Sequence, residues 1–209
     1  MRYFVTGATG FVAGELAKHL IDEGHEVVAL ARNPQKEKAK ELAAYGITIA
    51  AGDVTDKASL LEPMQGCEVV FHLAAAQHEA NVPDSYFREI NVDGTRNMLD
   101  AAIEVGVKRF VHASTIGVFG SGSPKSIDEN TPEAPAEDNI YTNTKYEAEK
   151  LVREYGEAGK LSVTVIRPAE TYGPGDLRLL KLYKQINKGT FFKIGPGKNL
   201  HHLIYIDDL

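Results

Sequence analysis

Residues 3–14 read Tyr-Phe-Val-Thr-Gly-Ala-Thr-Gly-Phe-Val-Ala-Gly. An apolar run, typical of a buried strand, leads into a glycine-rich turn, and helical periodicity begins at Phe11. Glycine lets a pyrophosphate approach main-chain N–H groups, and a helix N-terminus adds partial positive charge. A tight turn without a ligand is the alternative, but a position between the first strand and the first helix favours a phosphate site. The predicted contacts are Gly7, Thr9, Gly10, Phe11 and Val12.

Outward from this turn, short apolar runs alternate with longer amphipathic ones. The pattern predicts strands at 3–6, 26–31, 47–50, 69–73, 109–113 and 162–166, and helices at 11–23, 35–45, 84–105 and 140–155. Strands joined by crossover helices form a parallel sheet covered on both faces. We therefore expect an α/β fold, with a Rossmann-type, doubly wound parallel sheet in residues 1–167. Residues 168–209 are interpreted as the incomplete start of a substrate-binding region, with the rest of that lobe truncated or missing.

Composition narrows the classes of partner. The 209 residues carry a net charge of -6, which does not favour a nucleic-acid partner. The single cysteine, Cys67, cannot form an internal disulfide, and no apolar stretch approaches the roughly 18 residues that span a bilayer. We expect a cytoplasmic protein with a small-molecule substrate and no membrane partner. No metal is expected, because the histidines lack ligand spacing at positions 72, 78, 112, 201 and 202.

The residues after the second and third strands bear on the adenosine end of a dinucleotide. NAD-preferring sites place an acid after the second strand, where this chain has Arg32. A guanidinium pairs well with a 2′-phosphate, so the cofactor is predicted to be NAD(P) with a preference for NADP, unless Arg32 is only a solvated surface charge. After the third strand come Asp53 and Val54. Asp53 is a candidate acceptor for the adenine amino group or, equally, part of a helix start.

A tyrosine and a lysine lie one helical turn apart in the predicted helix at 140–155. Tyr141 and Lys145 would share one face, and a nearby ammonium lowers the pKa of a phenol. Such a tyrosine exchanges a proton with a hydroxyl or carbonyl while a nicotinamide carries the hydride. Tyr-x-x-x-Lys alone is common on helix surfaces. Thr115, after the fifth strand, adds a hydroxyl for the reacting oxygen, with Ser114 as the alternative.

With these residues in place, the chain resembles the extended short-chain dehydrogenase/reductases, the NAD(P)-dependent epimerase/dehydratase family. The matching segments are Gly7-Ala-Thr-Gly-Phe11, Asn91-Val-Asp-Gly-Thr95, Lys108-Arg-Phe-Val-His-Ala-Ser-Thr115, Val118-Phe-Gly120, Tyr141 to Lys145 with Glu149, Arg167-Pro168, Tyr172-Gly-Pro174 and Asp207-Asp208. The resemblance implies a catalytic triad of Thr115, Tyr141 and Lys145. It implies further cofactor contacts from Leu73, Ala74, Ala75 and Pro168. It also implies a homodimer formed by the helices that begin near 84 and 140.

The chain departs from the nucleotide-sugar members of that family at two positions. Glu170 stands where the resemblance implies an asparagine that holds the sugar nucleotide, and His201 where it implies an arginine that grips the pyrophosphate. Both replacements remove favourable electrostatics for a nucleotide diphosphate. The family's substrate domain also continues for on the order of 100 further residues, within the usual size of a domain.

Three hypotheses about function follow. The family favours an epimerase or dehydratase that acts on a hydroxyl or carbonyl carbon of a nucleotide-sugar. Arg32 and the two departures favour an NADPH-dependent ketoreductase of the extended short-chain type. The third hypothesis is a protein without catalytic activity, either an NAD(P)-binding fragment or a structural dimer.

Overall fold

The computed structural model describes residues 1–77, 79, 81–120, 126–193, 195–198 and 201–209. Two compact units are present, Met1–Arg167 and Pro168–Leu209. Among the described residues, none of the helices is long and apolar enough to cross a membrane.

The first unit is a parallel sheet with helices on its two faces. Its strands are β1 (Arg2–Thr6), β2 (Glu26–Ala31), β3 (Thr48–Ala51), β4 (Val69–His72), β5 (Arg109–Ala113) and β6 (Ser162–Ile166). The strand order is β3-β2-β1-β4-β5-β6, and all five pairings are parallel. The predicted Rossmann-type, doubly wound α/β fold is confirmed. The order reverses between β1 and β4, which places a ligand crevice at their carboxyl ends.

Six helices accompany these strands. Their bounds are α1 (Phe11–Asp22), α2 (Glu37–Ala44), α3 (Ala58–Met64), α4 (Asp84–Arg88), α5 (Gly94–Glu104) and α6 (Ile140–Glu157). Side chains alternate across a strand, so Phe4 and Val5 of β1 enter different cores. Phe4 packs in the cluster that contains Leu99 of α5, and Val5 in the cluster that contains Leu42 of α2. The sheet is therefore buried on both faces, as its apolar strands require.

Within the first unit, the structure differs from the sequence-based prediction in two helical segments. The single helix predicted at 84–105 is divided into α4 and α5 by a π-helical segment, Glu89–Asp93. The pattern also does not predict α3, which has seven residues and contains Pro63. Seven residues hold only two turns of apolar repeat, too few for periodicity to identify a helix.

The second unit contains a small parallel pair and one helix. Its elements are β7 (Glu170–Tyr172), α7 (Leu177–Asn187) and β8 (Leu203–Tyr205), followed by a 3₁₀ turn at Ile206–Asp208. β7 and β8 pair in parallel, with Glu170 opposite Leu203. The Asp176 side chain caps α7 by accepting a hydrogen bond from the backbone N–H of Arg178.

Two glycines with similar backbone angles provide a test of the turn after β1. Gly7 has φ +78° and Gly24 has φ +80°, a left-handed conformation that costs an alanine about 1–2 kcal/mol. A Cβ on Gly7 would also lie 2.9 Å from main-chain atoms of Leu73 and Ala74, whereas one on Gly24 meets nothing within 4 Å. We expect Gly7→Ala to lower the free energy of unfolding by about 3 kcal/mol and Gly24→Ala by about 1 kcal/mol in urea titrations. Equal losses would show that the close approach at Gly7 is unimportant.

Candidate active site

The glycine turn after β1 lies at the carboxyl edge of the sheet. Gly7 follows β1 against the backbone of Leu73 and Ala74, and the turn is closed by a 2.8 Å hydrogen bond from the Gly10 N–H to the Gly7 carbonyl. Thr9 and Gly10 are exposed. Gly10 is also the N-cap of α1 and has no side chain to satisfy the first N–H groups of the helix. The turn therefore presents free backbone donors and the positive end of α1 to an anion.

Two small residues, Ala13 and Gly14, follow the turn in the first part of α1. Ala13 is 3% exposed and packs in the core that contains Leu42. Gly14 is buried, and a Cβ there would lie 2.9 Å from the Ala8 carbonyl oxygen. Gly14 is what allows α1 to pack closely on the turn. In the sequence, the position of Gly14 next to the glycine pattern was the feature that could have indicated this contact.

The residues proposed for the adenosine end lie at neighbouring strand ends. Arg32 is exposed just after β2. The Oδ1 atom of Asp53 accepts hydrogen bonds from both the backbone N–H and the hydroxyl of Thr55, each at 3.0 Å, so this oxygen shapes the local turn. Val54 is buried, and its carbonyl accepts a 2.9 Å hydrogen bond from Asn97 Nδ2. The cofactor roles of Arg32, Asp53 and Val54 stay predictions.

A row of polar side chains crosses the sheet just below this edge. Thr6, His72 and His112 stand in register on β1, β4 and β5, and all three are completely buried. The Thr6 Oγ1 atom lies 2.8 Å from His72 Nδ1, and His72 Nε2 lies 3.0 Å from the Thr95 hydroxyl. The Thr95 proton is committed to the Asn91 carbonyl at 2.6 Å. His72 therefore donates from Nε2 and accepts from Thr6 at Nδ1, which makes it the neutral Nε2–H tautomer.

The segment after β4 is held by a buried asparagine in the π-helical turn. Asn91 Oδ1 accepts from the Ala76 N–H at 2.8 Å, and Asn91 Nδ2 donates to the Ala76 carbonyl at 3.0 Å. Asn91 Nδ2 also lies 2.9 Å from the Thr144 hydroxyl on α6. This clamp fixes the course of residues 73–76, which include the proposed cofactor contacts Leu73, Ala74 and Ala75. Those three contacts stay predictions.

Reasoning from the sequence missed the side chains of this network. Its members are Thr6, His72, Asn91, Thr95 and Thr144. Asn91 and Thr95 open and close one of the segments that carry the family resemblance, and that was the available signal.

The three predicted catalytic residues lie on two adjacent elements. Thr115 follows β5, and its Oγ1 accepts a 3.1 Å hydrogen bond from the Gly117 N–H. Tyr141 and Lys145 lie on α6, whose start is capped by Asn139. A Cβ on Gly117 would lie 3.4 Å from Thr115 Oγ1 and 3.3 Å from the hydroxyl of Thr142 on α6, so the two elements meet at this glycine.

The two candidate hydroxyls differ in accessibility. Ser114 is 5% exposed, and within the described part of the chain its buried Oγ has no hydrogen-bond partner. Thr115 and Tyr141 are half-buried and remain partly open to solvent. The geometry favours Thr115 over Ser114 as the hydroxyl that reaches a substrate.

Lys145 is 2% exposed, which is unusual for an ammonium. Burial lowers the pKa of Lys145 to about 8, and the nearby Glu149 carboxylate opposes that shift. Glu149 is itself completely buried and bonds Arg167 at 2.6 Å and Arg153 more closely. Both arginines also pair with Glu133, so two acids and two guanidiniums form one network behind the lysine. The hydrogen bond to Glu149, and after it the pairing with Glu133, raises the pKa of the Arg167 guanidinium.

The second unit contains both departures from the sugar-nucleotide residues. Glu170 Oε2 lies 3.6 Å from His201 Nδ1, and both side chains are exposed. A carboxylate and an imidazole therefore pair where the resemblance implies an amide and a guanidinium. Pro168 begins this unit, and its proposed cofactor contact stays a prediction.

Other predicted features fall partly outside the described residues. His78 and residues 121–125, which read Ser-Gly-Ser-Pro-Lys, belong to the part of the chain that the structure does not describe. Among the residues it does describe, no three His, Cys, Asp or Glu side chains come together to hold a metal ion.

The buried ammonium gives a test that needs no substrate. The pKa of Lys145 is about 8 in the folded chain and 10.5 when unperturbed, so the unfolded chain binds more protons between these values and stability rises with pH there. Below pH 8 the buried charge costs on the order of 3 kcal/mol. We expect Lys145→Met to be more stable than the parent at pH 7 and to lose this advantage by pH 10.5 in urea titrations. A stability difference that is the same at both pH values would contradict the shifted pKa.

Comparisons with known proteins show the family to which the chain is similar. The model of the NAD dependent epimerase/dehydratase family matches residues 3–209. A 4-hydroxy-2-methyl-3-oxo-4-farnesyl-3,4-dihydroquinoline-1-oxide ketoreductase from Stigmatella aurantiaca is 36% identical over 96% of this chain and 59% of its own length. The 3beta-hydroxysteroid-dehydrogenase/decarboxylase isoform 1 of Arabidopsis thaliana is 32% identical over 98% of this chain and 50% of its own length. The chain thus spans about half the length of the curated relatives it matches.

The similarity extends to solved structures. DesIV, a dTDP-glucose 4,6-dehydratase from Streptomyces venezuelae solved with NAD and TYD bound, superposes with a TM-score of 0.84 at 27% identity. The alignment covers 99% of this chain and 69% of DesIV.

Proposed function

We propose that this chain, which belongs to the NAD dependent epimerase/dehydratase family, interconverts a secondary alcohol and a ketone with a nicotinamide dinucleotide as redox partner. One observation carries the proposal. A fully buried lysine lies one turn after Tyr141 on α6, and the start of that helix meets the strand end that carries Thr115. This arrangement supplies a proton-exchanging phenol, an ammonium to tune it and a hydroxyl to hold the reacting oxygen.

Each of the three residues has a separate task. The Lys145 ammonium favours the phenolate of Tyr141, which then removes the alcohol proton or, in the reverse direction, returns it to the ketone oxygen. Thr115 Oγ1 already accepts from the Gly117 N–H, so its own proton is free to be donated to the substrate oxygen. Thr115 thus orients the substrate oxygen while Tyr141 exchanges the proton.

The residues at the sheet edge fit a dinucleotide. Gly7 lets the turn pack against the main chain of Leu73 and Ala74, and the N-terminus of α1, which has no side-chain cap, suits the pyrophosphate. Thr9, Gly10, Phe11 and Val12 line this turn, and the clamped segment 73–76 offers main-chain groups beside it. When bound, a nicotinamide supplies or accepts a hydride.

Arg32 supports a preference for NADP(H). It is exposed at the end of β2, where an adenosine ribose would lie, and it can bond a 2′-phosphate bidentately. We expect Arg32→Ala to weaken NADP⁺ binding about tenfold to a hundredfold and NAD⁺ binding little, as measured by calorimetric titration. Lys38→Ala is the control, because that lysine is paired with Glu41 at 3.0 Å. A larger loss for NAD⁺ than for NADP⁺ would refute the preference.

The second unit favours a ketone or alcohol substrate over a nucleotide-sugar. The negative Glu170 carboxylate would repel a pyrophosphate, whereas the asparagine that the resemblance implies there would be neutral. His201 also offers less positive charge than an arginine. The ketoreductase and hydroxysteroid dehydrogenase relatives agree with this choice. Nucleotide-sugar epimerase or dehydratase chemistry is the second candidate, supported by the family and by the likeness to DesIV.

The direct test follows NADPH oxidation with a panel of steroid and β-keto acid ketones. We expect Tyr141→Phe to lower kcat/KM by about 100-fold or more, since positioned proton transfer is worth 10²–10⁴. Tyr146→Phe is the matched control: it removes a phenol from the same helix, where Tyr146 is half-buried against Lys150, and it should react like the parent.

Other outcomes separate the alternatives. Conversion of dTDP-glucose or a UDP-sugar without net NADPH consumption would favour the second candidate. NADP⁺ binding with equal background rates in the parent and Tyr141→Phe would favour a silent NAD(P)-binding protein. A homodimer through α5 and α6 and a cytoplasmic location also stay proposals, and light scattering tests the former.

A further inference from the structure

A second histidine of the polar row lies directly against the proposed catalytic lysine. His112 is completely buried on β5, and its Nε2 lies 3.5 Å from Lys145 Nζ. Its other ring nitrogen, Nδ1, has no hydrogen-bond partner within the described part of the chain. The His112 ring also packs against His72, with 5.5 Å between the ring centroids. None of the tasks assigned above to Tyr141, Lys145 and Thr115 uses this imidazole.

The protonation state of His112 determines what it can do. Burial, and next the charges of Lys145 and His72, hold the pKa of His112 well below its usual range. His112 is therefore neutral near pH 7, with one nitrogen that donates and one that accepts. An ammonium has only donors, so the nitrogen that faces Lys145 must be the acceptor and the proton must lie on Nδ1.

The groups packed around Lys145 show why the acceptor on His112 matters. α6 contributes the Glu149 carboxylate, which is committed to Arg153 and Arg167. The sheet contributes the two neutral imidazoles, and of these His112 is the one in contact with Nζ. A buried ammonium needs hydrogen-bond acceptors to remain charged. His112 is the acceptor that β5 supplies.

We propose that His112 is a positioning residue for the reaction: its Nε2 accepts a hydrogen bond from the Lys145 ammonium and so keeps that ammonium charged and aligned beside Tyr141. The inference rests on the proposed function for its effect on catalysis, but its effect on Lys145 does not. His112 stands three residues before Thr115, so β5 and the turn that follows it would position the lysine with one side chain and the substrate oxygen with another.

Three variants separate positioning from packing. His112→Phe fills the site without an acceptor, His112→Gln restores an acceptor near the place of Nε2, and Phe110→Leu perturbs the same face of β5 two residues away. The first readout needs neither cofactor nor substrate. It is the titration of Lys145 by NMR of ¹³C-labelled lysine in the apo chain, with Lys145→Met to assign the signal.

We expect the pKa of Lys145 to fall by about one unit in His112→Phe, which is the scale of one hydrogen bond to a charged group. His112→Gln should recover most of that shift, and Phe110→Leu should titrate like the parent while it lowers stability. An unchanged Lys145 titration in His112→Phe would overturn the proposal.

The second readout is the pH profile of kcat/KM for alcohol oxidation with NADP⁺. The activity rises with pH as Tyr141 loses its proton, and a less firmly charged Lys145 moves that rise about one pH unit upward in His112→Phe. A lower rate with an unmoved profile, as expected for Phe110→Leu, would mean that His112 only packs. Absent activity in the parent would refute the proposed function, while the NMR titration would still decide the role of His112.

Discussion

An ammonium buried under the carboxyl edge of a parallel sheet is the constraint on which this site depends. Lys145 is 2% exposed, and burial lowers its pKa, which favours loss of its proton. The buried Glu149 carboxylate on the same helix opposes that shift, and the His112 imidazole on β5 lies 3.5 Å from the ammonium nitrogen. The result is a pKa near 8, close to the pH at which proton exchange must work.

The row of buried polar side chains on β1, β4 and β5 links this lysine to the edge of the sheet that carries the glycine turn. Thr6 hydrogen-bonds His72 and also accepts from the Ala74 N–H at 3.1 Å, so the end of β1 and the segment after β4 share one hydroxyl. His72 packs on His112, which contacts Lys145. These buried hydrogen bonds and ring contacts constrain the positions of the side chains on β1, β4 and β5 relative to one another.

The π-helical turn has a related structural task. It lies between α4 and α5 and contains Asn91, whose amide bonds the Ala76 backbone at both its N–H and its carbonyl. π-helical turns of this kind often occur at functional sites. Here the turn immobilises the strand-end segment beside the glycine turn. The sequence predicts a single continuous helix at this place, because the apolar repeat is the same on either side of the turn.

Sequence patterns reached a good part of the fold and of the candidate site. Apolar runs separated by amphipathic segments predicted the six strands of the first unit to within a residue or two, since strands buried on both faces consist mostly of apolar residues. The glycine turn and the Tyr141–Lys145 spacing are local features, so they too were visible. Contacts between residues far apart in the chain could not be predicted in this way. Asn91 and Thr144 are separated by 53 positions, and His112 and Lys145 by 33 positions.

The sequence by itself determined the parallel sheet, the glycine turn and the candidate catalytic residues, because periodicity and turn chemistry act over a few residues. Only the tertiary structure decided that Gly14 lies tightly against the Ala8 carbonyl, that Lys145 is desolvated and that His112 faces it. Burial and electrostatic environment arise from packing between elements far apart in the chain, and no local pattern encodes them.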